Sequence, residues 1–213
     1  MSRNEQKKVS RVKIKKKAWH KIIGSSLFGK KELGESYLDS GEHALNRRLK
    51  VNLKDLTGNI RDQNCYVAFK IIKWQGLTLE AVHIGYELMP ASVKRMVKKN
   101  TNRLDDYFSL DTKDGQKVII KTFMLTIKKV SRSVMSKLRS VLKEILIEEC
   151  QKNNFDILFG NIISGKVQQA ARKRLAKIYP LKEMSIRKLD LVQHPMQTQV
   201  VPNSSSAPVE VSA

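Results

Sequence analysis

The chain has 213 residues, 41% of them hydrophobic, and a formal net charge of +21 from 41 lysines and arginines against 20 aspartates and glutamates. This length and hydrophobic fraction suit a packed core, and the positive charge predicts an anionic partner, most often nucleic acid. Because no apolar run approaches the roughly 18 residues that cross a bilayer, we expect neither a membrane span nor a secretory signal.

The predicted strands occupy most of the first two thirds of the chain. Residues 24–41 separate the first two strands and, with their glycines and charges, are predicted to be a long loop. Gln75-Gly76 and the segment 111–115 are predicted to close two hairpins, since a glycine can adopt the positive φ that such turns need. The predicted strands are residues 19–23, 48–53, 65–74, 77–88, 107–110, 117–127 and 184–192.

Helices dominate the later part. Pro90 suits the first turn of a helix that runs to about Asn100, in which Val93, Met96 and Val97 form an apolar face. Three more helices are predicted at residues 131–149, 155–163 and 167–178, the last ending before a proline. Strands followed by helices predict an α+β fold.

The positive charge is carried by the body of the chain as well as by its start. Residues 1–17 have a net charge of +7 and residues 193–213 a net charge of −1, which leaves +15 for residues 18–192. We expect a disordered basic arm over 1–17, a single α+β nucleic-acid-binding domain over 18–192, and a disordered, almost uncharged tail over 193–213. The alternative for the arm is a solvated tail without a binding role.

No set of residues suggests catalysis or metal binding. The four histidines, His20, His43, His83 and His194, lie in separate segments without metal-ligand spacing, and the chain has no phosphate-binding glycine loop. His83, inside a strand, is expected to be structural. We therefore expect a protein that is not an enzyme and needs no cofactor and no metal.

The adjacent aspartates and the two cysteines are expected to have structural roles. Asp105 and Asp106 would point to opposite faces of a strand, so a solvated turn is preferred to a Mg²⁺ site. Cys65 and Cys150 are too few for a disulfide framework and are expected to fill core positions. The cysteine usage predicts a reducing, cytoplasmic location.

Four clusters of basic residues are the candidate nucleic-acid contacts. A large, pre-shaped RNA surface suits contacts that are spread in this way. The candidates are Lys7, Lys8, Arg11, Lys13, Lys15, Lys16 and Lys17; Lys94, Arg95, Lys98, Lys99 and Arg103; Lys128, Lys129, Arg132, Lys137 and Arg139; and Lys166, Arg172, Lys173, Arg174 and Lys177.

The helix after Pro90 is the clearest of these clusters. Lys94 and Lys98, like Arg95 and Lys99, are expected at i and i+4, where like charges repel by a few tenths of a kcal/mol. Acidic residues are absent from 90–104, whereas an ordinary solvated helix face, the alternative, normally mixes both signs. Phosphate contact is therefore the preferred interpretation.

Aromatic residues give little sign of base reading. Few of them interleave with the basic clusters, which argues against sequence-specific recognition of single-stranded bases. Trp19, directly after the basic arm, could stack on a base, but a core position on the first strand is the preferred interpretation.

Several motifs resemble the archaeal and eukaryotic small-subunit ribosomal protein family eS-one, also called S-three-a. They extend from about residue 17 to 192, and the short length is similar to that of archaeal members. Met89-Pro90 departs from the family's usual Thr-Arg, and the uncharged tail is atypical. The motifs are Lys177-Ile178-Tyr179-Pro180-Leu181, Ile186-Arg187-Lys188, Lys17-Ala18-Trp19, Leu27-Phe28-Gly29, Leu33-Gly34-Glu35, Val51-Asn52-Leu53-Lys54-Asp55-Leu56-Thr57-Gly58, Gly85-Tyr86-Glu87-Leu88 and Thr112-Lys113-Asp114-Gly115.

The resemblance implies a structural protein of the small ribosomal subunit. It implies rRNA and neighbouring ribosomal proteins as partners, a place on the platform near the mRNA exit with mRNA close by, and an antiparallel β-barrel-like core with helices beside it. Two alternatives remain at this point: a free nucleic-acid chaperone or chromatin-like protein that binds duplexes without specificity, and an enzyme acting on RNA, which the missing catalytic set disfavours.

Overall fold

The computed structural model describes residues 16–192, so most of the basic arm and the whole C-terminal tail lie outside the described residues. The described part is a mixed α+β fold with eight strands and five α-helices, as the order of predicted elements indicated. The strands are β1 (Ala18–Ile23), β2 (Glu32–Leu38), β3 (Arg48–Asn52), β4 (Cys65–Gln75), β5 (Thr78–Leu88), β6 (Arg103–Asp111), β7 (Lys117–Thr126) and β8 (Leu181–Leu191). The helices are α1 (Leu53–Thr57), α2 (Pro90–Met96), α3 (Arg132–Lys152), α4 (Phe155–Ile163) and α5 (Lys166–Leu175).

Strand β5 is the centre of one branched sheet. It pairs with β4 along its length on one side. On the other side it pairs with β1 in parallel at residues 78–80 and with β8 in antiparallel fashion at residues 85–87. The sheet then continues through β2 at one end and through β7 and β6 at the other. Strand β3 pairs with β4 at the remaining edge.

The expected barrel-like closure is wrong. Among the described residues, β2, β3 and β6 each have one partner, so the sheet stays open and branched. The branching follows from β5, whose two ends pair with different strands on the same side. Alternation along a strand shows which residues share a face, but it carries no information on whether the outermost strands meet.

The long loop expected over residues 24–41 is also partly wrong, since β2 lies within it. Strand β2 pairs only with β1, in a ribbon at the edge of the sheet. Most of its side chains are exposed, and it therefore lacks the apolar alternation by which strands are recognised.

The main core lies between one face of the sheet and helices α3, α4 and α5. Leu138, Leu142 and Phe159 from the helices are fully buried there with Ile120 and Ile186 from the sheet. Helix α3 lies against β6, and α5 lies against β8. Within residues 16–192, no helix combines the length and the hydropathy needed to span a membrane.

A smaller core lies on the opposite face of the sheet, under α2. Val93 packs there with Leu88, Phe123 and Leu125, and partly buried Met96 joins them. One side of α2 is thus apolar and packed, as the sequence predicted, and this contact leaves the rest of that sheet face open beside the helix.

Candidate nucleic-acid interface

The predicted basic contacts lie on the surface wherever the structure describes them. Lys7, Lys8, Arg11, Lys13 and Lys15 lie outside the described residues. Every other candidate is exposed, but their side chains divide into two groups, those held by neighbouring protein groups and those without an ion pair in residues 16–192. The exposed candidates are Lys16, Lys17, Lys94, Arg95, Lys98, Lys99, Arg103, Lys128, Lys129, Arg132, Lys137, Arg139, Lys166, Arg172, Lys173, Arg174 and Lys177.

Helix α2 is shorter than the sequence suggested. It ends at Met96, and Val97 is already extended with a φ of −72° and a ψ of 123°. The predicted i, i+4 pairs with Lys98 and Lys99 are therefore wrong, because both lysines follow the helix. Asn100 has a φ of 64°, which reverses the chain before β6. Lys94, Lys98 and Lys99 nevertheless stay exposed, and none forms an ion pair within the described residues.

The structure brings α2 next to basic residues from two distant strands. Lys94 and Arg103 line a depression of about 250 Å³ together with Arg187 and Lys188 of β8. The two β8 residues were noted in the sequence only as a family motif, not as binding candidates. No pattern in the sequence indicated that β8 would lie beside α2.

A bulge explains how two consecutive basic residues reach this depression. Lys121 of β7 pairs with Lys188, whereas the next residue, Thr122, pairs with Ile186, so Arg187 is the extra residue. A bulge of this kind locally re-aims side chains of the bulged strand. Arg187 and Lys188 are both half-buried, and their neighbours Ile186 and Leu189 are in the core.

Acidic groups hold part of this surface in place. Asp105 pairs with Arg103 at 2.5 Å and lies 4.0 Å from Arg187. Lys50 pairs with Glu87 at 2.6 Å, and this hydrogen bond raises the pKa of Lys50. Asp105 thereby orients the two arginines, and Lys188 pairs with Asp190 at 2.6 Å. Lys94 has no ion-pair partner in the described range.

Asp105 and Asp106 point to opposite faces of β6, as expected, but they lie within the strand rather than in a turn. Asp106 pairs with Arg139 of α3 at 2.9 Å. Burial raises the pKa of Asp106, and the arginine opposes that shift. The described residues contain no group of three or more side chains suited to hold a metal ion.

The α5 cluster contains two arginines that serve the fold. Arg172 donates hydrogen bonds to the carbonyls of Leu181 and Lys182, at 3.3 and 2.9 Å. Arg174 pairs with Glu148 of α3 at 2.8 Å, which lowers the pKa of this carboxylate. Within residues 16–192, the free cations of the cluster are the exposed lysines, namely Lys166, Lys173 and Lys177.

The third cluster lies at the start of α3. Lys128 and Lys129 precede the helix, and Arg132 and Lys137 lie in its first two turns. These four side chains are exposed and form no ion pair among the described residues, whereas Arg139 is held by its aspartate.

His83 has a structural position, as expected. His83 is 3% exposed, packs against Phe155 and Phe159, and lies 3.0 Å from Asp156. Burial lowers the pKa of His83, although the carboxylate opposes that effect.

The cysteine thiols lie in protected surroundings. Cys150 is buried, which raises its pKa to about 11, and the Cys65 sulfur lies 3.1 Å from the Tyr86 hydroxyl. A raised pKa keeps a thiol protonated and unreactive at neutral pH.

Trp19 is not in the core, so the preferred interpretation of this residue is wrong. It lies on the exposed side of β1 and faces Tyr37 of β2. Its neighbours in the chain, His20 and Ile22, are buried. The strand expected at this place is present, but the side chains that it buries are those that alternate with Trp19.

Comparison with known proteins gives consistent matches over nearly the whole chain. The model of the Ribosomal S3Ae family matches residues 5–195. A protein named small ribosomal subunit protein eS1 from Methanothrix thermoacetophila is 28% identical over 208 residues, which is 98% of this chain and 96% of the relative. Proteins of the same name from Archaeoglobus fulgidus and Methanothermobacter thermautotrophicus are 27% and 29% identical, over 95% and 85% of this chain and 98% and 93% of their own.

Proposed function

Because the chain belongs to the Ribosomal S3Ae family, we propose that its exposed lysines and arginines hold it in the small ribosomal subunit by contacts with rRNA phosphates. The protein is a structural component of the small subunit, acts in translation in the cytoplasm, and is not an enzyme.

The observation that carries the proposal is the basic surface around α2. Lys94, Arg103, Arg187 and Lys188 come from three separate parts of the chain and line one depression. Arg103 and Arg187 lie near Asp105 and Lys188 pairs with Asp190, so these carboxylates orient three of the four cations. Lys94 has no ion-pair partner among the described residues, and a phosphate bound there would gain its attraction without displacing a carboxylate. Lys98 and Lys99 extend the same surface after the helix.

The arginine contacts support a division of roles. Arg172 and Arg174 are engaged by carbonyl and carboxylate oxygens of the protein, which orients their guanidinium groups. The unpaired lysines remain available as mobile point charges. Phosphate contacts of both kinds position an RNA without reading its sequence.

The resemblance to the eS-one family supports a finer proposal about position. It implies a place on the platform of the small subunit, near the mRNA exit, with rRNA and neighbouring small-subunit proteins as partners and mRNA passing close by. The domain limits expected above, with a disordered arm over 1–17 and a disordered tail over 193–213, belong to the same proposal.

The salt dependence of RNA binding tests the electrostatic contacts. Each neutralised phosphate lowers the slope of log K against log salt by about 0.7 to 0.9, so several contacts predict a steep negative slope. A filter-binding titration of the full chain against small-subunit rRNA, between low and physiological salt, measures it. A slope near zero would contradict the proposal.

A sucrose gradient separates ribosomal incorporation from free nucleic-acid binding. Cell lysate is fractionated at physiological salt, and the chain is followed by immunoblot. We expect it to sediment with small subunits, whereas a free chaperone or chromatin-like protein would remain outside those fractions.

A further inference from the structure

Two large aromatic side chains lie uncovered on the β1–β2 ribbon. Trp19 is 61% exposed and Tyr37 is 52% exposed. They face each other in register across the two strands, with ring centroids 5.0 Å apart and ring planes at 41°. Aromatic side chains of this size normally contribute to cores and interfaces, so an exposed pair indicates a surface that a partner covers.

The pair is held by a rigid support. On the other side of β1, His20 and Ile22 are buried, and Leu38 of β2 is buried beside them. Strand β1 is also tied to β5 through residues 78–80. The two rings therefore keep their relative position without a partner, which reduces the entropy lost on binding.

The surroundings of the pair favour an anionic partner. The Lys17 nitrogen lies 5.9 Å from the centre of the Tyr37 ring, and Lys16 and Lys21 are exposed nearby along the chain. Lys21 is 3.5 Å from Glu32 of β2. The basic residues of the arm join the ribbon directly before Lys16.

We propose that Trp19 and Tyr37 form a stacking platform for an unpaired nucleobase of RNA, with Lys16 and Lys17 contacting the adjoining phosphates. Proteins bind unpaired bases by this combination of an aromatic face and neighbouring cations. Lysine is depleted at protein–protein interfaces, so the lysines around the rings favour RNA over a protein partner. This inference rests on the proposed RNA-binding function and assigns a separate contact within it.

The test uses the full chain and two single-stranded probes. One is a ten-nucleotide oligoadenylate RNA, and the other is an abasic oligonucleotide with the same number of phosphates. Affinity is measured over a series of salt concentrations for the wild type and for Trp19→Leu, Tyr37→Leu and Trp19→Tyr. Leucine keeps an apolar side chain but removes the π face, whereas tyrosine retains one.

We expect Trp19→Leu to weaken oligoadenylate binding by about 5- to 30-fold, toward the lower end of what stacked bases contribute. Tyr37→Leu should also weaken oligoadenylate binding, and Trp19→Tyr should retain most of the wild-type affinity. Binding of the abasic probe should be unchanged. The salt slope should also be unchanged, because stacking releases no counterions.

Tyr107→Leu is the matched control. Tyr107 is 59% exposed and has the Lys121 nitrogen 5.9 Å from its ring centre, like Lys17 and Tyr37, but it has no aromatic partner among the described residues. Its replacement should leave oligoadenylate affinity unchanged. Circular dichroism and thermal unfolding establish that each variant is folded.

Several results would overturn the inference. Unchanged affinity of Trp19→Leu with a steep salt slope would refute the stacking platform but not the electrostatic contacts. An equal loss with the abasic probe, or an equal loss in Tyr107→Leu, would refute base stacking at this pair. A flat salt slope in the wild type would instead refute the proposed electrostatic function.

Discussion

Charge reversal beside α2 separates binding from folding most directly. Changing Lys94, Lys98 and Lys99 to Glu replaces three exposed cations that form no ion pair in residues 16–192. The apolar side chains that pack α2 onto the sheet, Val93 and Met96, are untouched. We therefore expect a folded protein with an altered surface.

The expected loss follows from the number of cations removed. If each lysine neutralises one rRNA phosphate, the variant loses three contacts and its salt slope becomes shallower by about 2 to 3. The new carboxylates also repel phosphates at the same positions, so the affinity at low salt should fall further than it would after substitution by alanine.

Filter binding at several salt concentrations measures the slope, and circular dichroism with thermal unfolding checks the fold. The matched control changes Lys73, Lys113 and Lys143 to Glu. These lysines are also exposed and lack an ion pair in the described part of the chain. They lie apart from one another, on β4, in the turn between β6 and β7, and on α3. The total charge change is identical, so any difference between the two variants reports the location of the contacts.

A competition in cells gives a second readout. Mutant and wild-type chains are expressed together, and purified small subunits are analysed by mass spectrometry. We expect the variant at Lys94, Lys98 and Lys99 to be under-represented and the control to be incorporated normally. Equal incorporation of both, together with equal salt slopes, would refute the assignment of this surface to RNA and would direct attention to Lys173 on α5 and Lys177 just after it.

The remaining predictions concern stability and the basic arm. Phe159→Ala should lower the free energy of unfolding by about 3–5 kcal/mol in a denaturant titration, because it empties a fully buried site. Gly85→Ala should cost about 1–3 kcal/mol in the same assay, since its Cβ would lie 2.7 Å from the Leu189 carbonyl oxygen; an unchanged midpoint would show that the strands separate freely there. Burial lowers the pKa of His83, so the unfolded chain takes up the proton first, and stability should fall as pH drops below about 6.5, less steeply in His83→Gln. Deleting residues 1–15 should leave the melting temperature unchanged but make the salt slope of RNA binding shallower; a drop of many degrees would show that the arm is packed.

Local sequence patterns determined most elements of this protein. The predicted helix at residues 155–163 coincides with α4, and both predicted hairpins are present, with Gly76 and Gly115 at positive φ in their turns. Turn chemistry and apolar periodicity act between residues that are close in the chain, so they can be seen in the sequence. The net charge is a sum over residues and does not depend on the fold, so the sequence was sufficient to predict an anionic partner.

Patterns were weakest where an element packs on few neighbours. Strand β2 lies in a mostly exposed ribbon, and its polar residues resembled a loop. Helix α2 ends one residue before Val97, which packs at its edge without being helical, and this apolar neighbour extended the predicted helix too far. Strand β2 therefore lacks the alternation that burial of one face imposes, whereas in α2 the apolar spacing is present but does not show where the helix ends.

The tertiary structure alone decided which charges meet and which aromatic residues remain uncovered. Arg187 and Lys188 reach the surface beside Lys94 because a bulge in β8 and a branch at β5 bring distant segments together. Trp19 is exposed because β1 buries the alternate set of side chains against its neighbours. Register, bulges and branching depend on contacts between residues far apart in the chain, and a one-residue shift reverses which side chains face outward.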